Sequence, residues 1–396
     1  MGRIVLTGID KFYGANHVLK NLNLEIEDGD FMTLLGPSGC GKTTTLRVIA
    51  GLERPQNGTV HIDDREIVNA KEQFFENPGK RNLALVFQSY ALWPHMTVFD
   101  NVAFGLRANK VQKEEIKRMV NEALERLRIG ELSGRYPSEL SGGQQQRVAI
   151  ARSIVMSSRV LLLDEPLSNL DAKLRMEMRV ELKRLHQEMG ITIIYVTHDQ
   201  VEALTMSTRI AVFFDGVMEQ VDTPLEVYHN PVSLKVADFI GNPRINLIHG
   251  KAQKTGNMLG VESGLGVFRF EQNSFPGYTP DNGTFECIVG VRPEQMTILR
   301  KEAGPAAGPP SVRPGQPPPE GSVAARVYSC MPAGSETLLQ LSIAGEKDLV
   351  LAKRIGSKNY ITNEDVWLKI NPEHINIFHK ESGKLIKKAA SAAEED

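Results

Sequence analysis

The fold is decided by one stretch near the amino terminus, Gly36-Pro37-Ser38-Gly39-Cys40-Gly41-Lys42-Thr43. It matches the pattern G-x-x-x-x-G-K-[ST] and lies between an apolar run, 30–35, that predicts a buried strand and a stretch, 43–50, that predicts a helix. Glycines let the backbone wrap closely around an anion, and the helix adds the partial positive charge of its first turn. Lys42 supplies a point charge for the β- and γ-phosphates, and the Thr43 hydroxyl is a ligand for Mg²⁺. The stretch therefore predicts a loop that binds nucleotide phosphates.

A second motif places two carboxylates at the end of a strand. The apolar run 160–163 predicts the strand, and Asp164 and Glu165 follow it directly. The carboxyl ends of parallel strands meet at one edge of a sheet, which is where the phosphates would also lie. There Asp164 can hold Mg²⁺, and Glu165 can accept a proton from a water that attacks the γ-phosphate. Two acids after a strand are by themselves more typical of a solvated turn, and it is the phosphate loop that favours catalysis.

A third motif, Leu140-Ser141-Gly142-Gly143-Gln144, opens a predicted helix and forms another anion cradle. The chain thus has two phosphate cradles but a single Lys and Mg²⁺ apparatus. Either the second cradle folds back over the first, or a two-fold pair of chains closes each cradle on the partner's nucleotide. Taken by itself, the run also fits an ordinary Ser-capped helix.

Strands and helices alternate up to about residue 215, which predicts an α/β fold with a mostly parallel sheet. An amphipathic pattern at 112–128 predicts a helix inside a helical insert, 89–155. The core on either side of this insert would comprise 1–88 and 156–215. Its predicted strands are 30–35, 83–87, 160–163, 191–196 and 210–214.

The second half of the chain differs in character. Residues 216–240 are expected to form a linker that is helical from 224 to 240, and 241–396 a small all-β barrel domain. Its clearest predicted strands are 287–291, 297–299, 338–343 and 366–370. The barrel is interrupted by a proline-rich segment, 304–321, which is typical of an extended loop.

Composition excludes several classes of function. Lys and Arg total 46 against 48 Asp and Glu, a net charge of −2, so the chain lacks the positive field that non-specific nucleic-acid binding needs. Three cysteines give no disulfide framework and favour a reducing compartment. The longest apolar runs are strand-sized, so the chain is not expected to cross a membrane.

The order of these motifs along residues 1–215 resembles the ATPase subunit of an ATP-binding cassette (ABC) transporter. The motifs are the phosphate loop, Gln88, 140–144, Asp164-Glu165, 168–171 and His198. The resemblance implies a P-loop NTPase fold, with a RecA-like core and a helical subdomain, that hydrolyses ATP with Mg²⁺.

The same resemblance implies roles for single residues. Tyr13 would stack on adenine, Gln88 would contact Mg²⁺ and the attacking water, and His198 would clamp the γ-phosphate. Ser141 and Gly143 would touch the γ-phosphate of the other subunit, and Asp171 would lie at the dimer seam. The expected catalytic residues are Glu165, His198, Gln88 and Lys42, and the expected metal ligands are Thr43, Gln88 and Asp164. The expected nucleotide contacts are Tyr13, Gly36, Pro37, Ser38, Gly39, Cys40, Gly41, Lys42, Thr43, Thr44, Ser141, Gly142, Gly143 and Gln144.

The second half resembles the oligonucleotide/oligosaccharide-binding-type (OB-like, or TOBE) domain of importer ATPases. The matching stretches are 290–294 and 371–378, whereas the proline-rich loop departs from the pattern. Residues 239–246 look most similar to ATPases that serve sugar and polyol importers, the maltose-type branch. Polyamine, iron and other small solutes remain alternatives, since the ATPase does not touch the solute.

The expected partners are a second copy of the chain, two membrane-spanning permease subunits and, indirectly, an extracytoplasmic solute-binding protein. The chain would lie on the cytoplasmic face of the inner membrane. The apolar stretch 89–106, with Trp93 and Met96, would help to form the groove that receives a permease coupling helix. Competing hypotheses are a soluble ABC protein that acts on nucleic acid or ribosomes, a nucleotide-dependent regulator without a transport role, and an exporter ATPase.

Overall fold

The computed structural model describes residues 2–156, 158–271, 283–300 and 319–389. The chain divides into two compact units, Met1–Pro224 and Leu225–Asp396. Most of the proline-rich segment expected at 304–321 lies outside the described residues.

A six-stranded sheet forms the centre of the first unit. Its strands are β3 (Phe31–Leu35), β7 (Leu83–Val86), β8 (Val160–Asp164), β9 (Thr192–Thr197), β10 (Arg209–Phe214) and β11 (Val217–Asp222). Their order is β11-β10-β3-β9-β8-β7. All neighbours are parallel except β10 and β11. Every residue of β3, β8 and β9 is buried, which explains their continuous apolar runs. The α/β prediction is confirmed.

An antiparallel sheet, with two strands before β3 and three between β3 and β7, is not among the predicted elements. Its strands are β1 (Ile4–Tyr13), β2 (Asn16–Ile26), β4 (Asn57–Ile62), β5 (Arg65–Asn69) and β6 (Phe74–Phe75), in the order β2-β1-β4-β5-β6. The pairing of β1 with β2 shifts register three times, after Leu6, Ile9 and Lys11. Such bulges break the period-2 alternation by which a half-buried strand is recognised.

The described part of the first unit contains six α-helices: α1 (Lys42–Ala50), α2 (Val98–Ala108), α3 (Lys113–Arg126), α4 (Gly142–Ile154), α5 (Ala172–Met189) and α6 (Gln200–Met206). Helices α2, α3 and α4 lie between β7 and β8 in the chain, where the helical insert is expected. Their apolar faces join the buried side of the sheet in one core that includes Val102, Val120 and Val148.

The structure differs from the first part of the linker expected at 216–240, whereas the helical character expected at 224–240 is confirmed. The first part of that stretch, β11, pairs with β10 as the edge of the central sheet, because the tight turn at Asp215 and Gly216 reverses the chain. The later part forms two short helices, α7 (Pro224–His229) and α8 (Leu234–Phe239). Ala237 of α8 packs against Ile245, Ile288 and Phe378 of the second unit.

The second unit is two antiparallel sheets around one core. The first contains β12 (Asn246–Thr255), β13 (Met258–Ser263), β14 (Gly266–Glu271), β15 (Gly283–Val291), β21 (Asn376–His379) and β22 (Leu385–Lys387). The second contains β16 (Met296–Arg300), β17 (Ser322–Pro332), β18 (Glu336–Ile343), β19 (Val350–Ile355) and β20 (Asp365–Ile370). The four strands predicted here lie within β15, β16, β18 and β20, which confirms the all-β character of this half.

A buried arginine supports the far end of the helix that follows the phosphate loop. Arg81 is 1% exposed, and its Nη1 donates to the carbonyl oxygens of Val48 and Ile49 in the last turn of α1, both at 2.8 Å. Its Nη2 donates to the Glu76 carbonyl oxygen at 3.0 Å. Burial lowers the pKa of Arg81 to about 10, so the side chain is still cationic at neutral pH. A positive charge at a helix C-terminus opposes the negative end of the helix dipole.

We expect Arg81→Met to lower the free energy of unfolding of the first unit by about 2–4 kcal/mol, since each buried carbonyl left without a donor costs roughly 1–3 kcal/mol. The measurement is a urea titration followed by Trp93 fluorescence in a Trp367→Phe background, because the chain has only these two tryptophans. The control is Arg107→Met. Arg107 is 52% exposed and pairs with Asp100, and losing such a surface pair costs about 0–1 kcal/mol. Equal losses in the two variants would contradict the capping role of Arg81.

Candidate functional site

The phosphate loop joins β3 to α1 and holds its lysine in place. Lys42 is 4% exposed, and its Nζ donates to the carbonyl oxygens of Gly36, at 2.7 Å, and Pro37, at 2.8 Å. These bonds hold the ammonium inside the concavity of the loop, beside the first turn of α1. The cation and the free N–H groups of that turn together favour an anion at this position.

Two glycines of the loop are required by their surroundings. Gly41 has φ +107°, and a Cβ there would lie 2.7 Å from Leu19 Cδ2. A Cβ on Gly36 would lie 2.3 Å from the Phe213 carbonyl oxygen. The loop can therefore follow this path only where the backbone carries no side chain.

A hydroxyl and a carboxylate meet beside the loop. Thr43 Oγ1 donates to Asp164 Oδ1 at 3.0 Å, which links the start of α1 to the end of β8. Asp164 is 7% exposed, and burial raises the pKa of its carboxyl, an effect that the hydrogen bond from Thr43 partly offsets. Oxygen atoms of this kind suit Mg²⁺, which keeps much of its shell for phosphate oxygens and water. Among the described residues no group of three or more His, Cys, Asp or Glu side chains is arranged to hold a metal ion, so Mg²⁺ would have few protein ligands here.

The second acid lies against the predicted histidine. Glu165 Oε2 lies 3.3 Å from His198 Nδ1, and the Glu165 N–H donates to the Val196 carbonyl oxygen at 3.1 Å. Glu165 has φ +44°, a left-handed conformation that is unfavourable for a residue with a Cβ and is often found at functional sites. The His198 side chain is 57% exposed, so the pair opens to solvent. A carboxylate oriented by an imidazole in this way can accept a proton from a water.

Gln88 follows β7 and contacts the segment after Glu165. Its Nε2 donates to Ser168 Oγ at 3.2 Å, and Ser168 Oγ donates to the Glu165 carbonyl oxygen at 2.9 Å. Asn169 Nδ2 donates to the Gln88 carbonyl oxygen at 3.2 Å. The described contacts of the Gln88 amide thus run to Ser168 and not to the Thr43–Asp164 pair, although both lie at the same edge of the sheet.

The second cradle begins α4 and packs against a different segment. Ser141 Oγ accepts from the Gln144 N–H at 3.4 Å, and Gln144 Oε1 accepts from the Ser141 N–H at 2.9 Å, which together form a capping box. A Cβ on Gly143 would lie 2.6 Å from Leu174 Cδ2, so α4 packs closely on α5. Asp171 caps α5 by accepting from the Leu174 N–H at 3.0 Å. Ser141 and Gly142 are exposed, and among the described residues their contacts do not run to the phosphate loop.

Tyr13 ends β1 and is 44% exposed. Lys11 Nζ lies 4.7 Å from the centre of its ring and 2.8 Å from Glu53 Oε2. Burial and a hydrogen bond to Glu53 raise the pKa of the Tyr13 hydroxyl. The contact with Lys11 leaves part of the ring accessible to a planar ligand.

Arg175 also lies at this site, although it is not among the residues predicted from the sequence. Its Nη1 lies 3.5 Å from Asp199 Oδ2, and its Nη2 donates to the Leu170 carbonyl oxygen at 3.1 Å. With Glu165, Ser168 and His198 it lines a cavity of about 40 Å³. The sequence holds one signal for this residue, because it follows Asp171 by four positions. Residues four apart are neighbours on the surface of a helix, so an arginine here lies beside the residue that caps the helix.

Comparison with known proteins agrees with this geometry. The ABC transporter family matches residues 19–168, and the TOBE domain family matches 289–378. The trehalose/maltose import ATP-binding protein MalK of Thermococcus litoralis is 43% identical over 389 residues, which cover 98% of this chain and 100% of that protein. The chain belongs to the ABC transporter family. It is an ATP-binding subunit of the kind that carries a TOBE domain, and therefore an ATPase.

Other relatives extend the comparison. The sn-glycerol-3-phosphate import ATP-binding protein UgpC of Brucella abortus is 47% identical over 76% of this chain and 79% of its own length. The sulfoquinovosyl glycerol transport ATP-binding protein SmoE of Agrobacterium fabrum is 42% identical over 96% of this chain and 98% of its own. Among solved structures, cbiO1 of Clostridium perfringens, part of the ABC transporter complex cbiONQ, has a TM-score of 0.52 at 31% identity and covers 57% of this chain and 89% of its own. The dimeric bacterial ABC transporter cassette MJ0796 has a TM-score of 0.50 at 33% identity and covers 56% and 98%.

No helix in the described part of this chain is long and apolar enough to cross a membrane.

We expect Asp164→Asn to stabilise the nucleotide-free chain at neutral pH while it impairs the site. The raised pKa means that the folded chain holds the Asp164 proton to a higher pH than the unfolded chain, whose ordinary value is 3.8. Stability is therefore lost as the pH rises through this interval and stays lower above it. Asn does not titrate and keeps the acceptor oxygen for Thr43.

The measurement is the urea midpoint of both chains in EDTA between pH 4 and pH 8. The advantage of Asp164→Asn should be largest at the upper end and shrink as the pH falls. Asp171→Asn is the control, because it replaces an exposed carboxylate and Asn caps a helix equally well. A variant that is less stable than the parent chain at pH 8 would contradict the assigned burial cost.

Proposed function

We propose that this chain is the ATP-hydrolysing subunit of an importer for sugars, polyols or their derivatives. The observation that carries the proposal is that the chain contains one complete site, made of the phosphate loop and the acids that follow the strand, together with an exposed cradle at Ser141. That cradle packs against a different segment and, within the described residues, does not contact the site of its own chain. Polyamine, iron and other solutes are less favoured, because trehalose/maltose, sn-glycerol-3-phosphate and sulfoquinovosyl glycerol in the names of the relatives are all polyhydroxylated.

Each step of hydrolysis is assigned to residues of this chain. Lys42 exchanges its two loop carbonyls for β- and γ-phosphate oxygens. Thr43 and Asp164, joined by the 3.0 Å hydrogen bond, are the ligands offered to Mg²⁺, which would neutralise phosphate charge. Glu165 accepts the proton of the attacking water, and His198, 3.3 Å away, orients that carboxylate and contacts the γ-phosphate. Tyr13 stacks on the adenine, and Gln88 orients the attacking water and would offer its amide oxygen to Mg²⁺ once it no longer contacts Ser168.

Two chains complete each site in this proposal. Because Ser141, Gly142 and Gly143 begin α4 beside the capped start of α5, a second copy can present them to the phosphates bound at Lys42. Asp171 then lies at the seam between the copies. Closure and reopening of the pair would drive two membrane-spanning permease subunits at the cytoplasmic face of the membrane, with an extracytoplasmic solute-binding protein as an indirect partner.

The helical insert offers a groove for a permease coupling helix. A cavity of about 670 Å³ between α2 and α3 is lined by Phe99, Val111 and Ile116, with Lys113 and Lys117 at its edge. The apolar surface expected around Trp93 adjoins α2, where the Trp93 ring lies 4.2 Å from that of Phe104. We assign 89–155 to docking and to presenting the Ser141 cradle, 1–88 with 156–215 to nucleotide binding, and the TOBE-containing second half to regulation.

Lys42 and Glu165 should fail in different ways. Lys42→Ala should weaken MgATP binding by at least about tenfold, because it removes charge-assisted hydrogen bonds to phosphate. Glu165→Gln should keep the dissociation constant within about twofold, lower kcat by roughly 10²–10⁴-fold and accumulate closed dimers. Binding is measured with a fluorescent ATP analogue, hydrolysis as phosphate release, and dimers by light scattering. Hydrolysis by Glu165→Gln at close to the parent rate would show that Glu165 is not the base.

A mixing experiment tests whether the site is shared between chains. Lys42→Ala and Ser141→Arg should each be inactive alone, whereas an equimolar mixture should recover about a quarter of the parent ATPase activity. The reason is that half of the dimers are mixed, and each mixed dimer has one intact site. Lys42→Ala mixed with Glu165→Gln is the control and should stay inactive, because both changes lie on the same half of the site. Absence of recovery in the first mixture, with mixed dimers present, would overturn the shared site.

A further inference from the structure

The turn that carries Gln88 contains two residues in an unfavourable conformation. Tyr90 has φ +62° and Ala91 has φ +47°, although both carry a Cβ. A left-handed backbone at two consecutive residues of this kind persists only where neighbouring groups hold it. The contacts of this turn therefore identify what fixes the position of Gln88.

One arginine of α4 holds both strained residues. Arg152 Nη1 donates to the Ala91 carbonyl oxygen at 2.7 Å, and Nη2 donates to the Tyr90 carbonyl oxygen at 2.8 Å. Its guanidinium carbon lies 4.9 Å from the centre of the Trp93 ring. A planar guanidinium can bond two carbonyls and cover a ring at the same time, which a lysine ammonium cannot do with the same geometry.

The other contacts of the turn run to the segment that follows Glu165. The Tyr90 hydroxyl donates to the Pro166 carbonyl oxygen at 3.3 Å, and Gln88 Nε2 donates to Ser168 Oγ at 3.2 Å. The turn is thus held on one side by the segment that follows Glu165 and on the other, through Arg152, by the helix that begins at Ser141.

We propose that Arg152 is a positioning residue that fixes the Gln88 turn on α4. The inference rests on the proposed role of Gln88 in hydrolysis. By bonding the carbonyl oxygens of Tyr90 and Ala91, the Arg152 guanidinium holds the two left-handed residues against α4. The turn thereby keeps the Gln88 side chain where it can pass from Ser168 to the attacking water of its own site. Without the fork, the two unfavourable residues relax and carry Gln88 away from that water.

The test is a double-mutant cycle on the full-length chain with Arg152→Lys, Arg152→Met, Gln88→Ala and the two double variants. Each Arg152 variant should lower kcat by at least about tenfold and leave the KM for MgATP within about twofold, because Lys42 and Tyr13 are untouched. In the Gln88→Ala background the same changes should alter kcat by less than about twofold, since Arg152 then has nothing to position.

Arg147→Lys is the matched control, because Arg147 lies on the same helix and its Nη1 donates to the Leu127 carbonyl oxygen at 3.1 Å, away from the Gln88 turn. It should keep kcat within about twofold even where it lowers the melting temperature as much as Arg152→Lys does. Arg152→Lys keeps the buried stem and the charge, so it carries the test if Arg152→Met does not fold.

Three results would overturn the inference. The first is an Arg152→Lys chain with the parent kcat, and the second is a kcat loss in Arg147→Lys equal to that in Arg152→Lys. The third is a Gln88→Ala chain whose kcat is low and is lowered further by the Arg152 changes, as much as in the parent chain. That result would overturn the role of Arg152 but leave the proposed role of Gln88 intact. A Gln88→Ala chain with the parent kcat would instead remove that role, and the inference with it.

Discussion

Parallel pairing within the central sheet is the constraint on which the site depends. Leu35 at the end of β3 pairs with Thr197 at the end of β9, and Asp164 at the end of β8 pairs with Val196. The ends of these strands are therefore level, and the segments that follow them carry Lys42, Glu165 and His198 to one edge. Burial on both faces protects this arrangement, because a change of register would move residues between the two packed layers.

Much of the candidate site could be predicted from the sequence, because its motifs depend on interactions between residues that are close together in the chain. The glycines around Lys42, the acids after 160–163 and the capping box at Ser141 each depend on neighbours within a few residues, so the pattern and the structure coincide. The antiparallel sheet was missed because its bulges obscure the alternation at Ile9 and Lys11. The expected linker begins too early in the chain, because the sequence of β11 is as polar as that of a connecting segment. Its backbone nevertheless forms the edge of the central sheet.

Pairs of distant residues could not be predicted in the same way. Thr43 and Asp164 are joined across the whole helical insert, and Arg152 reaches Tyr90 from the other end of that insert. Each of these residue types is common at such a position in a sequence. The sequence does not show, however, which backbone carbonyl a given arginine will bind. Arg81 and Arg152 show this most clearly, because their described hydrogen bonds go to backbone carbonyls, which leave no complementary charge in the sequence to look for.

The charges beside the phosphate loop are balanced unevenly, and this imbalance bears on the proposed function. The Lys42 ammonium is satisfied by two carbonyl oxygens of its own loop, bonds that it would exchange for phosphate oxygens in that function. Asp164 is buried with one hydroxyl donor, and its raised pKa records the cost of holding its charge there. In the proposed function, a nucleotide with its cation would relieve the second cost while it replaced the first set of bonds. The free energy of binding would then go partly into correcting a charge that folding left poorly solvated, and the closed arrangement that we propose would depend on the ligand rather than on the fold alone.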